Sequence, residues 1–344
     1  MSGHFVRAAC VVMGLSSVGC GKVATGTEDG GTSAYCSALP QTCGPTGDLS
    51  CCASPLVAGG TFYRGYDTAT GTAFRDMTRP ATVSPFRLDT YEITVARFRQ
   101  FVLANQGIQT HPPEPGAGAR TLNGTAEQGG WDTTWNVNLA ANRDALLGAL
   151  RCDRFASWTD AQGANENAPM VCITWYEAMA FCAWDGGFLP TEAESMFAAS
   201  GGNQQRAYPW SNPPSAIAID CTTANFGGAN WPRTACVTEG VQTVGKTSPA
   251  GDGLFGQADL GGNAFEWVLD WRKADTASSC IDCANLTPQT DRVIRGGSFL
   301  DDAGASRAAA HVYSLPPDAR VSYVGVRCAR AAAEGRTPAK PGLR

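Results

Sequence analysis

Thirteen residues, Asp259 to Trp271, combine the residue types of a cation-binding loop with those of a β-strand. Gly261 and Gly262 allow positive φ values, so main-chain carbonyls can turn inward while the carboxylates of Asp259 and Glu266 approach from either side. Calcium prefers oxygen ligands of these kinds. The stretch therefore predicts a hard-cation loop or, in the plainer interpretation, a tight turn before an aromatic strand.

The second half of this stretch alternates between apolar and polar residues. The apolar positions are Phe265, Trp267, Leu269 and Trp271, with Glu266 and Asp270 between them. A period of two predicts a half-buried strand, with one face in the core and the other toward ligand or water.

Other segments predict the elements that must hold this loop in place. Helices are expected after the caps Thr94 and Thr174, and after Thr191 over Glu192–Ala199, where Glu194 completes a capping box. Glu192 and Glu194 could form a catalytic pair, but acids at a helix start are better explained as partners of the helix dipole. Strands are expected at 56–62, 86–89, 292–299 and 324–328, and a surface excursion at 107–130.

Composition favours one large, loop-rich domain. The chain has 344 residues, 43% hydrophobic and only 17% charged, with 40 glycines and 20 prolines. These proportions favour a fold rich in loops and turns over a helical bundle. A net charge of −5 without basic clusters excludes a nucleic-acid partner.

The first twenty residues have the pattern of an export signal. Arg7 precedes an apolar run, and Val18-Gly19-Cys20 is similar to the end of a bacterial lipobox, although Ser17 stands where leucine is usual. We expect lipidation at Cys20 and a flexible tether over 21–35, with simple secretion as the alternative. The expected location is the bacterial cell envelope, with contact to the membrane only through this anchor.

Cysteine counting gives independent support for export. Of 14 cysteines, one lies in the leader and Cys20 would carry lipid, which leaves twelve for six disulfides in an oxidising compartment. A cysteine-rich segment covers 36–55, where zinc is a minor alternative to disulfides. Cys280 and Cys283 form a C-x-x-C pair, and Cys221 and Cys236 are expected to form a local bridge.

Several short motifs occur in the order seen in the formylglycine-generating enzymes, also called sulfatase-modifying factors. They are GGTF at 59–62, YEIT at 91–94, ITWYEAMAFCAW at 173–184, LPTEAE at 189–194, YPW at 208–210, DLGGNAFEWVLDW at 259–271, RVIRGGSF at 292–299 and GVRC at 325–328. The chain resembles this family over about 56–330, followed by a polar tail at 331–344. The resemblance implies a single domain of the α+β class, with irregular structure, a C-type-lectin-like core and little regular secondary structure. We expect this domain to be a monomer.

The resemblance also implies two structural calcium sites and one disulfide. The first site corresponds to Asp259, Glu266 and the carbonyls of Gly262 and Ala264. The second, which matches less closely, corresponds to Asn225, Glu239 and the carbonyls of Phe226 and Val241. The implied disulfide joins Cys182 and Cys328, whereas a second family bridge would fall at Ala199 and His311 and is missing at both ends.

The chain departs from the family at the catalytic cysteines. Two thiolates that hold Cu(I) are expected three and eight positions after Ser298, and these positions are Asp301 and Ser306. A carboxylate and a hydroxyl are poor ligands for Cu(I), so we do not expect copper. A related branch of the family forms sulfoxides with non-haem iron, but this chain lacks the histidine ligands that such iron needs. A serine nucleophile at Ser298 lacks its usual sequence motif, and His311 is the one candidate for its base.

The sequence therefore predicts a binding domain that recognises a peptide, a glycan or an envelope protein. One alternative is an oxidoreductase that holds a different metal with Asp301, Ser306 and His311. The other is a structural envelope scaffold.

Overall fold

The computed structural model describes residues 42–47, 49–71, 73–227, 236, 240–273, 278–311 and 313–332. The expected leader (1–20) and tether (21–35) lie outside these residues, as do Cys36, Glu239 and the tail from 333.

Four α-helices form within the described part of the chain. They are α1 (Val95–Leu103), α2 (Arg143–Ala149), α3 (Trp175–Trp184) and α4 (Glu192–Ala199), with two 3-10 helices at Thr133–Asn138 and Gly202–Gln204. None of these helices is long and apolar enough to cross a membrane.

The predicted helix starts are confirmed by their caps. The Thr94 hydroxyl accepts the N–H of Arg97, and Thr191 and Glu194 form a complete capping box at the start of α4. An equivalent box forms between Thr174 and Glu177 at the start of α3. Each box satisfies two backbone N–H groups that have no partner inside the helix.

Among the described residues, fourteen short strands form five small sheets. The strands are β1 (Thr42–Cys43), β2 (Leu49–Ser50), β3 (Leu56–Val57), β4 (Gly60–Tyr63), β5 (Pro80–Val83), β6 (Phe86–Leu88), β7 (Arg120–Leu122), β8 (Thr125–Gln128), β9 (Phe265–Trp271), β10 (Cys280–Ile281), β11 (Arg292–Arg295), β12 (Ser314–Leu315), β13 (Val324–Val326) and β14 (Ala329–Ala331). The sheet orders are β1-β2, β10-β5-β4, β12-β11-β9-β13, β14-β6-β3 and β7-β8. The predicted α+β fold with little regular secondary structure is therefore confirmed.

β9 is an inner strand of the largest sheet. It pairs antiparallel with β11 and parallel with β13, with Val324 opposite Phe265. Every residue of β9 except Trp271 is buried, so the predicted half-exposed strand is wrong. Protein covers both faces: the indole of Trp267 donates to the Ile173 carbonyl at 3.1 Å, while Glu266 on the other face contacts Arg327.

The largest core cluster lies between α1, α3 and this sheet. Phe98, Phe101, Phe181 and Trp184 contact one another there, with ring centroids 5.2–5.8 Å apart. These contacts fix α3 against α1.

The segment 107–130 is more ordered than a surface excursion. β7 and β8 form a hairpin whose turn contains Asn123 and Gly124, both at positive φ. Asn-Gly is the sequence signal for a type I′ hairpin turn, and the interpretation of this segment as a loop overlooked it. Leu122 and Trp131 are buried in the main core.

Candidate functional site

The loop before β9 is held in an unusual backbone conformation. Asp259, Gly262 and Asn263 all have positive φ values, of 56°, 87° and 63°. A Cβ on Gly262 would lie 2.7 Å from the Asn225 carbonyl oxygen, so only glycine fits this position. The Asn263 N–H donates to the same oxygen at 2.7 Å, which joins the loop to the segment around Asn225.

Three carboxylates and one guanidinium are buried together beside this loop. Arg327 donates to Glu266 Oε1 from Nε at 2.9 Å and from Nη2 at 2.8 Å. Asp259 accepts the Gly245 N–H at 2.5 Å and the Thr247 hydroxyl at 3.3 Å. Glu92 accepts the Asn263 amide at 2.7 Å and the Ala264 N–H at 3.1 Å.

Burial gives this cluster perturbed acidities. Desolvation raises the pKa of Asp259 to about 6, and it raises the pKa of Glu92 well above its usual range. The neighbouring charges of Asp259 and Glu266 raise the pKa of Glu92 further. Asp259, Glu266 and Glu92 therefore share one electrostatic neighbourhood, in which Arg327 is the cation.

The donor set of the first expected calcium site consists of oxygen, as a hard cation requires. One Glu266 oxygen already accepts both Arg327 hydrogen bonds. Among the described residues, no group of three or more His, Cys, Asp or Glu side chains is arranged to hold a metal ion. A cation here would depend on main-chain carbonyls such as those of Gly262 and Ala264.

The second expected site contains a buried oxygen that accepts no hydrogen bond from the described residues. This oxygen is Asn225 Oδ1, while Nδ2 of the same side chain donates to Asn263 Oδ1 at 3.1 Å. An orphaned amide oxygen fits a hard-cation ligand. The Phe226 carbonyl accepts the Cys236 N–H at 3.1 Å. Of the other two expected ligands, Val241 packs against the core and Glu239 lies outside the described residues.

Disulfides tie together the elements around the loop. The described bonds are Cys43–Cys51, Cys152–Cys172, Cys182–Cys328, Cys221–Cys236 and Cys280–Cys283. Cys52 is also disulfide-bonded, so every cysteine in the described part of the chain is oxidised. The Cys182–Cys328 bond is the pair that the family resemblance implies, and it joins α3 to the residues after β13.

A cleft of about 470 Å³ opens at one side of the largest sheet. Its lining is mainly aromatic and aliphatic, with a single carboxylate: Phe155, Phe265, Ile294, Leu300, Asp301, Tyr313, Ser314, Leu315 and Tyr323. β9, β11 and β12 supply part of this lining, and the turn after β11 supplies Asp301. This cleft is the candidate binding site.

Only Asp301 of the four candidate catalytic residues lines the cleft. The Ser298 hydroxyl donates to the Asp301 carboxylate. Ser306 is buried, and its hydroxyl has no hydrogen-bond partner in the part of the chain that the structure describes. This hydroxyl lies 3.0 Å from the position of a Cβ on Gly297. His311 lies elsewhere: its imidazole would contact a Cβ on Gly65, and its Nδ1 is 2.8 Å from the Ala309 carbonyl oxygen. The structure therefore does not bring the four together.

A second, smaller pocket of about 210 Å³ lies at the carboxyl end of β9. Asp270 and Glu192 line it, together with Cys280 and Cys283. Asp270 accepts the N–H groups of Glu192 at 2.8 Å and Asn285 at 2.7 Å. Burial, followed by the charge of Glu192, raises the pKa of Asp270 to about 7. Sequence reasoning missed this group because it assigned Asp270 to a solvent-facing strand position.

Two stabilising features were also absent from the sequence interpretation. Arg292 lies between the rings of Trp175 and Trp271, with its guanidinium carbon 3.6 and 3.7 Å from their centroids. Arg97 bridges the buried carboxylates of Asp89 and Asp185. These contacts join segments that are distant in sequence, so no local pattern signals them.

Comparisons with known proteins agree with the motif order. Residues 42–332 match the family described as the sulfatase-modifying factor enzyme 1-like domain. Inactive C-alpha-formylglycine-generating enzyme 2 from Bos taurus is 31% identical over 301 residues, which cover 81% of this chain and 88% of the relative. Formylglycine-generating enzyme from Thermomonospora curvata is 29% identical over 305 residues, covering 79% and 91%.

Solved structures show the same fold at lower identity. PvdO from Pseudomonas aeruginosa aligns with a TM-score of 0.52 at 19% identity, covering 80% of this chain and 93% of PvdO. Treponema denticola variable protein 1 aligns with a TM-score of 0.51 at 18% identity, covering 81% and 94%. Because the family match spans most of the sequence, the chain belongs to the sulfatase-modifying factor family, whose members include formylglycine-generating enzymes.

Proposed function

We propose that this protein is an exported, lipid-anchored and calcium-stabilised binding domain, which recognises a peptide, glycan or protein partner and does not form formylglycine with copper. The observation that carries the proposal is the chemistry of the cleft. Asp301 occupies the position where the resemblance places the first copper thiolate, and every described cysteine is in a disulfide. A carboxylate and a buried serine hydroxyl do not replace the soft ligands that Cu(I) requires.

The relative from Bos taurus is named an inactive formylglycine-generating enzyme, which is consistent with loss of catalysis on this fold. The relative from Thermomonospora curvata is named a formylglycine-generating enzyme, so family membership alone does not distinguish a catalytic from a non-catalytic role. The residues at 301 and 306 support the non-catalytic role.

The direct test is an oxidation assay. The full chain is incubated with copper, oxygen and a C-x-P-x-R peptide, and the peptide is examined by mass spectrometry for the aldehyde. We expect none, whereas an active formylglycine-generating enzyme assayed in parallel should convert the peptide. Aldehyde formation by this chain would overturn the proposal.

A variant that restores the thiols sharpens this test. Asp301→Cys combined with Ser306→Cys is expected to gain Cu(I) binding, measured by competition with a colorimetric Cu(I) chelator. The wild-type chain should not compete. If neither binds copper, residues 301 and 306 are not the family's copper positions.

Calcium is proposed as a structural ion. At the first site Asp259, Glu266 and the carbonyls of Gly262 and Ala264 would hold it, and at the second Asn225, Glu239 and the carbonyls of Phe226 and Val241 would do so. The ion would place positive charge beside Asp259, whose pKa is raised by burial. It would also coordinate the Asn225 amide oxygen, which accepts no hydrogen bond from the described residues. Chelation is expected to lower the Tm, and Asn225→Ala should reduce that calcium-dependent shift.

Export rests on the cysteines. Six disulfides account for the twelve cysteines outside the leader and the lipidation position, and eleven of these are oxidised in the described chain. Such density favours an oxidising compartment. Cys20→Ala is expected to move the protein from the membrane fraction to the soluble fraction of the cell envelope.

The metal-dependent oxidoreductase has less support. Its three expected ligands, Asp301, Ser306 and His311, do not share one site, because His311 lies against Gly65 and Ser306 is buried near Gly297. Metal analysis separates the two hypotheses: one equivalent of iron lost in Asp301→Ala would favour the enzyme, and calcium alone would favour the binding domain. Recovery of a stoichiometric envelope complex, with no binding of small ligands in the cleft, would favour a scaffold.

A further inference from the structure

The pocket at the carboxyl end of β9 brings a C-x-x-C disulfide together with a buried acid. Cys280, Cys283 and Asp270 line its wall, and Arg64 and Lys273 add two positive charges. Positive charge beside a sulfur favours the thiolate, which is the form that attacks and leaves in disulfide exchange. The pocket therefore holds a disulfide together with the groups that its reduction would use.

The loop that carries this disulfide is held by other contacts as well. The two cysteines are separated by only 3 positions, so their bond restricts the unfolded chain little. β10 pairs with β5, and the N–H of Asp282 donates to the Thr82 carbonyl at 2.9 Å. The Asp282 carboxylate accepts the N–H and the hydroxyl of Ser84 at 2.6 and 2.7 Å. Because these contacts do not involve the sulfurs, the bond can open and close while the chain stays folded.

The two cysteines differ in their surroundings. Cys280 also lines a surface pocket of about 620 Å³, to which the exposed side chain of Ile281 contributes. Cys283 lies two residues before Asn285, whose N–H donates to Asp270 at 2.7 Å. Cys280 is therefore the sulfur that a partner at the surface reaches, and Cys283 is the sulfur on the side of the acid.

Asp270 is suited to exchange a proton near neutral pH. Burial, followed by the charge of Glu192, raises its pKa to about 7. The charged groups that face it come from α4, β11 and the pocket wall, and they are Glu192, Glu194, Arg292, Arg64 and Lys273. Near pH 7 the carboxyl can thus give a proton to a Cys283 thiolate or take one from the thiol.

We propose that Cys280 and Cys283 form a thiol–disulfide exchange site for a cysteine-containing peptide or protein. A partner thiolate attacks the Cys280 sulfur, the Cys280–Cys283 bond breaks, and Cys283 leaves as a thiolate that takes a proton from Asp270 across the pocket. A second partner thiolate then attacks the partner's sulfur in the mixed disulfide, and Cys280 leaves and takes a proton from water. Two partner thiols become one disulfide, and their two electrons reduce the Cys280–Cys283 bond. The reverse reaction reduces a partner disulfide, and neither direction depends on ligand binding in the aromatic cleft.

The first test identifies which disulfide of the folded chain exchanges. The full chain is incubated with reduced glutathione at neutral pH, quenched with acid and alkylated, and mass spectrometry identifies the reduced cysteines. The Cys280–Cys283 bond is expected to be reduced at least ~10-fold faster than the Cys221–Cys236 bond. That bond is the matched control, because Cys221 is exposed, Cys236 is half-buried, and neither lines the pocket. Equal or slower reduction of Cys280–Cys283 would overturn the proposal, and this measurement needs no variant.

Two variants with one thiol each assign the roles of the sulfurs. In Cys283→Ser, Cys280 should form a mixed disulfide with oxidised glutathione at least ~10-fold faster than Cys283 does in Cys280→Ser. Mass spectrometry after an acid quench measures both rates. Equal rates or the reverse order would overturn the assignment of Cys280 as the attacked sulfur.

Asp270→Asn separates proton exchange from a structural role. When the reduced pair reacts with oxidised glutathione, acid quenching separates the reduced, mixed and oxidised forms, so the attack of Cys283 on the mixed disulfide is timed by itself. Its rate should rise between about pH 6 and about pH 8, as Asp270 becomes charged and accepts the thiol proton. Asp270→Asn should slow this step about 10-fold at pH 7 and remove the inflection there.

The matched control for this variant is Asp144→Asn, which changes an exposed acid of α2 that does not line the pocket. It should leave both the rate and the pH profile unchanged. Identical profiles for the wild type and Asp270→Asn would overturn the proton exchange with Asp270.

Discussion

The loop before β9 and the cleft after β11 both contain carboxylates, but they use them differently. At the loop, Arg327 donates two hydrogen bonds to Glu266 and others to the carbonyls of Asp89, Thr90 and Ala258. In the cleft, the Asp301 carboxylate accepts from Ser298 and faces aromatic rings. The loop holds its carboxylate with a buried guanidinium, whereas a hydroxyl of the same turn donates to the carboxylate in the cleft.

This difference separates the part of the chain that keeps the family pattern from the part that departs from it. The loop, its acids and the Cys182–Cys328 bond follow the family motifs. The turn after β11 and the segment that follows it contain positions 301 and 306, where the resemblance implies departures from the family, and of these two only Asp301 lines the cleft. A fold held by the first region can change its chemistry in the second without losing stability, and substitutions in the two regions should therefore have different effects.

The largest expected effect is loss of the Cys182–Cys328 disulfide. The bond closes a sequence separation of 146 residues, and both of its cysteines are buried. Replacing both cysteines by alanine should lower the free energy of unfolding by about 5 kcal/mol in the chain-entropy treatment. Urea unfolding followed by tryptophan fluorescence measures the change.

The matched control is the Cys280–Cys283 disulfide, whose separation is only 3 residues. The same treatment gives about 1.5 kcal/mol for the double alanine variant. Equal losses for the two pairs would show that the long-range bond does not restrict the unfolded chain more than the short-range bond does.

Arg327→Met is the next largest expected effect. Arg327 is fully buried, and its loss leaves Glu266, Asp259 and Glu92 as neighbouring acids without their guanidinium. Removing one partner of a buried ion pair should cost about 3–5 kcal/mol. Arg151→Met removes the exposed pair with Asp160 and should cost less than about 1 kcal/mol. A loss below that of Arg151→Met would contradict the role given to Arg327.

The sequence predicted local features better than long-range ones. Caps at Thr94 and Thr191 and the strand at 265–271 follow from patterns within a few residues. The exposure of Asp270 was predicted wrongly, because alternation reports only the types of neighbouring residues. Whether a polar residue faces water depends on what covers it, and here the amino end of α4 does so.

Candidate site residues show the same limit. Asp301 was identified from its distance after Ser298, but the aromatic cleft around it comes from segments that begin at Phe155 and end at Tyr323. No spacing rule connects them. The separation of His311 from Asp301 likewise depends on how the chain after β11 packs against Gly65.

Asp270 is a buried acid outside the Arg327 cluster, and its raised pKa also makes stability depend on pH. Its pKa is about 7 in the folded chain against 3.8 for the free group, so the folded state retains a proton that the unfolded state has released between these values. Stability should therefore fall as pH rises from about 4 to about 7, by as much as about 4 kcal/mol. Above this window the charged carboxylate remains unfavourable.

Asp270→Asn should remove the part of the pH dependence of stability that comes from Asp270. The variant has one acceptor oxygen for two N–H donors, so it should be less stable than the wild type near pH 4. Its relative stability should rise with pH, and the two curves should converge or cross by about pH 8. Urea unfolding at several pH values measures the difference, and a difference that does not change with pH would contradict the raised pKa.

The smallest expected effect distinguishes two serines near the cleft. Ser306 is 1% exposed and its hydroxyl has no partner in the described chain, so Ser306→Ala should be neutral or stabilising by up to about 1 kcal/mol. Ser298 donates to Asp301 and accepts the Leu300 N–H at 3.2 Å, so Ser298→Ala should be destabilising by about 1 kcal/mol. Thermal unfolding of the two variants measures both signs. Because the substitutions are chemically identical, opposite signs would show that Ser298 organises the turn bearing Asp301. They would also show that Ser306 only fills space at the position where the resemblance implies a second copper thiolate. A marked loss of stability in Ser306→Ala would instead mean that this hydroxyl has a structural partner. Position 306 would then help to hold the fold, as the residues around Arg327 do.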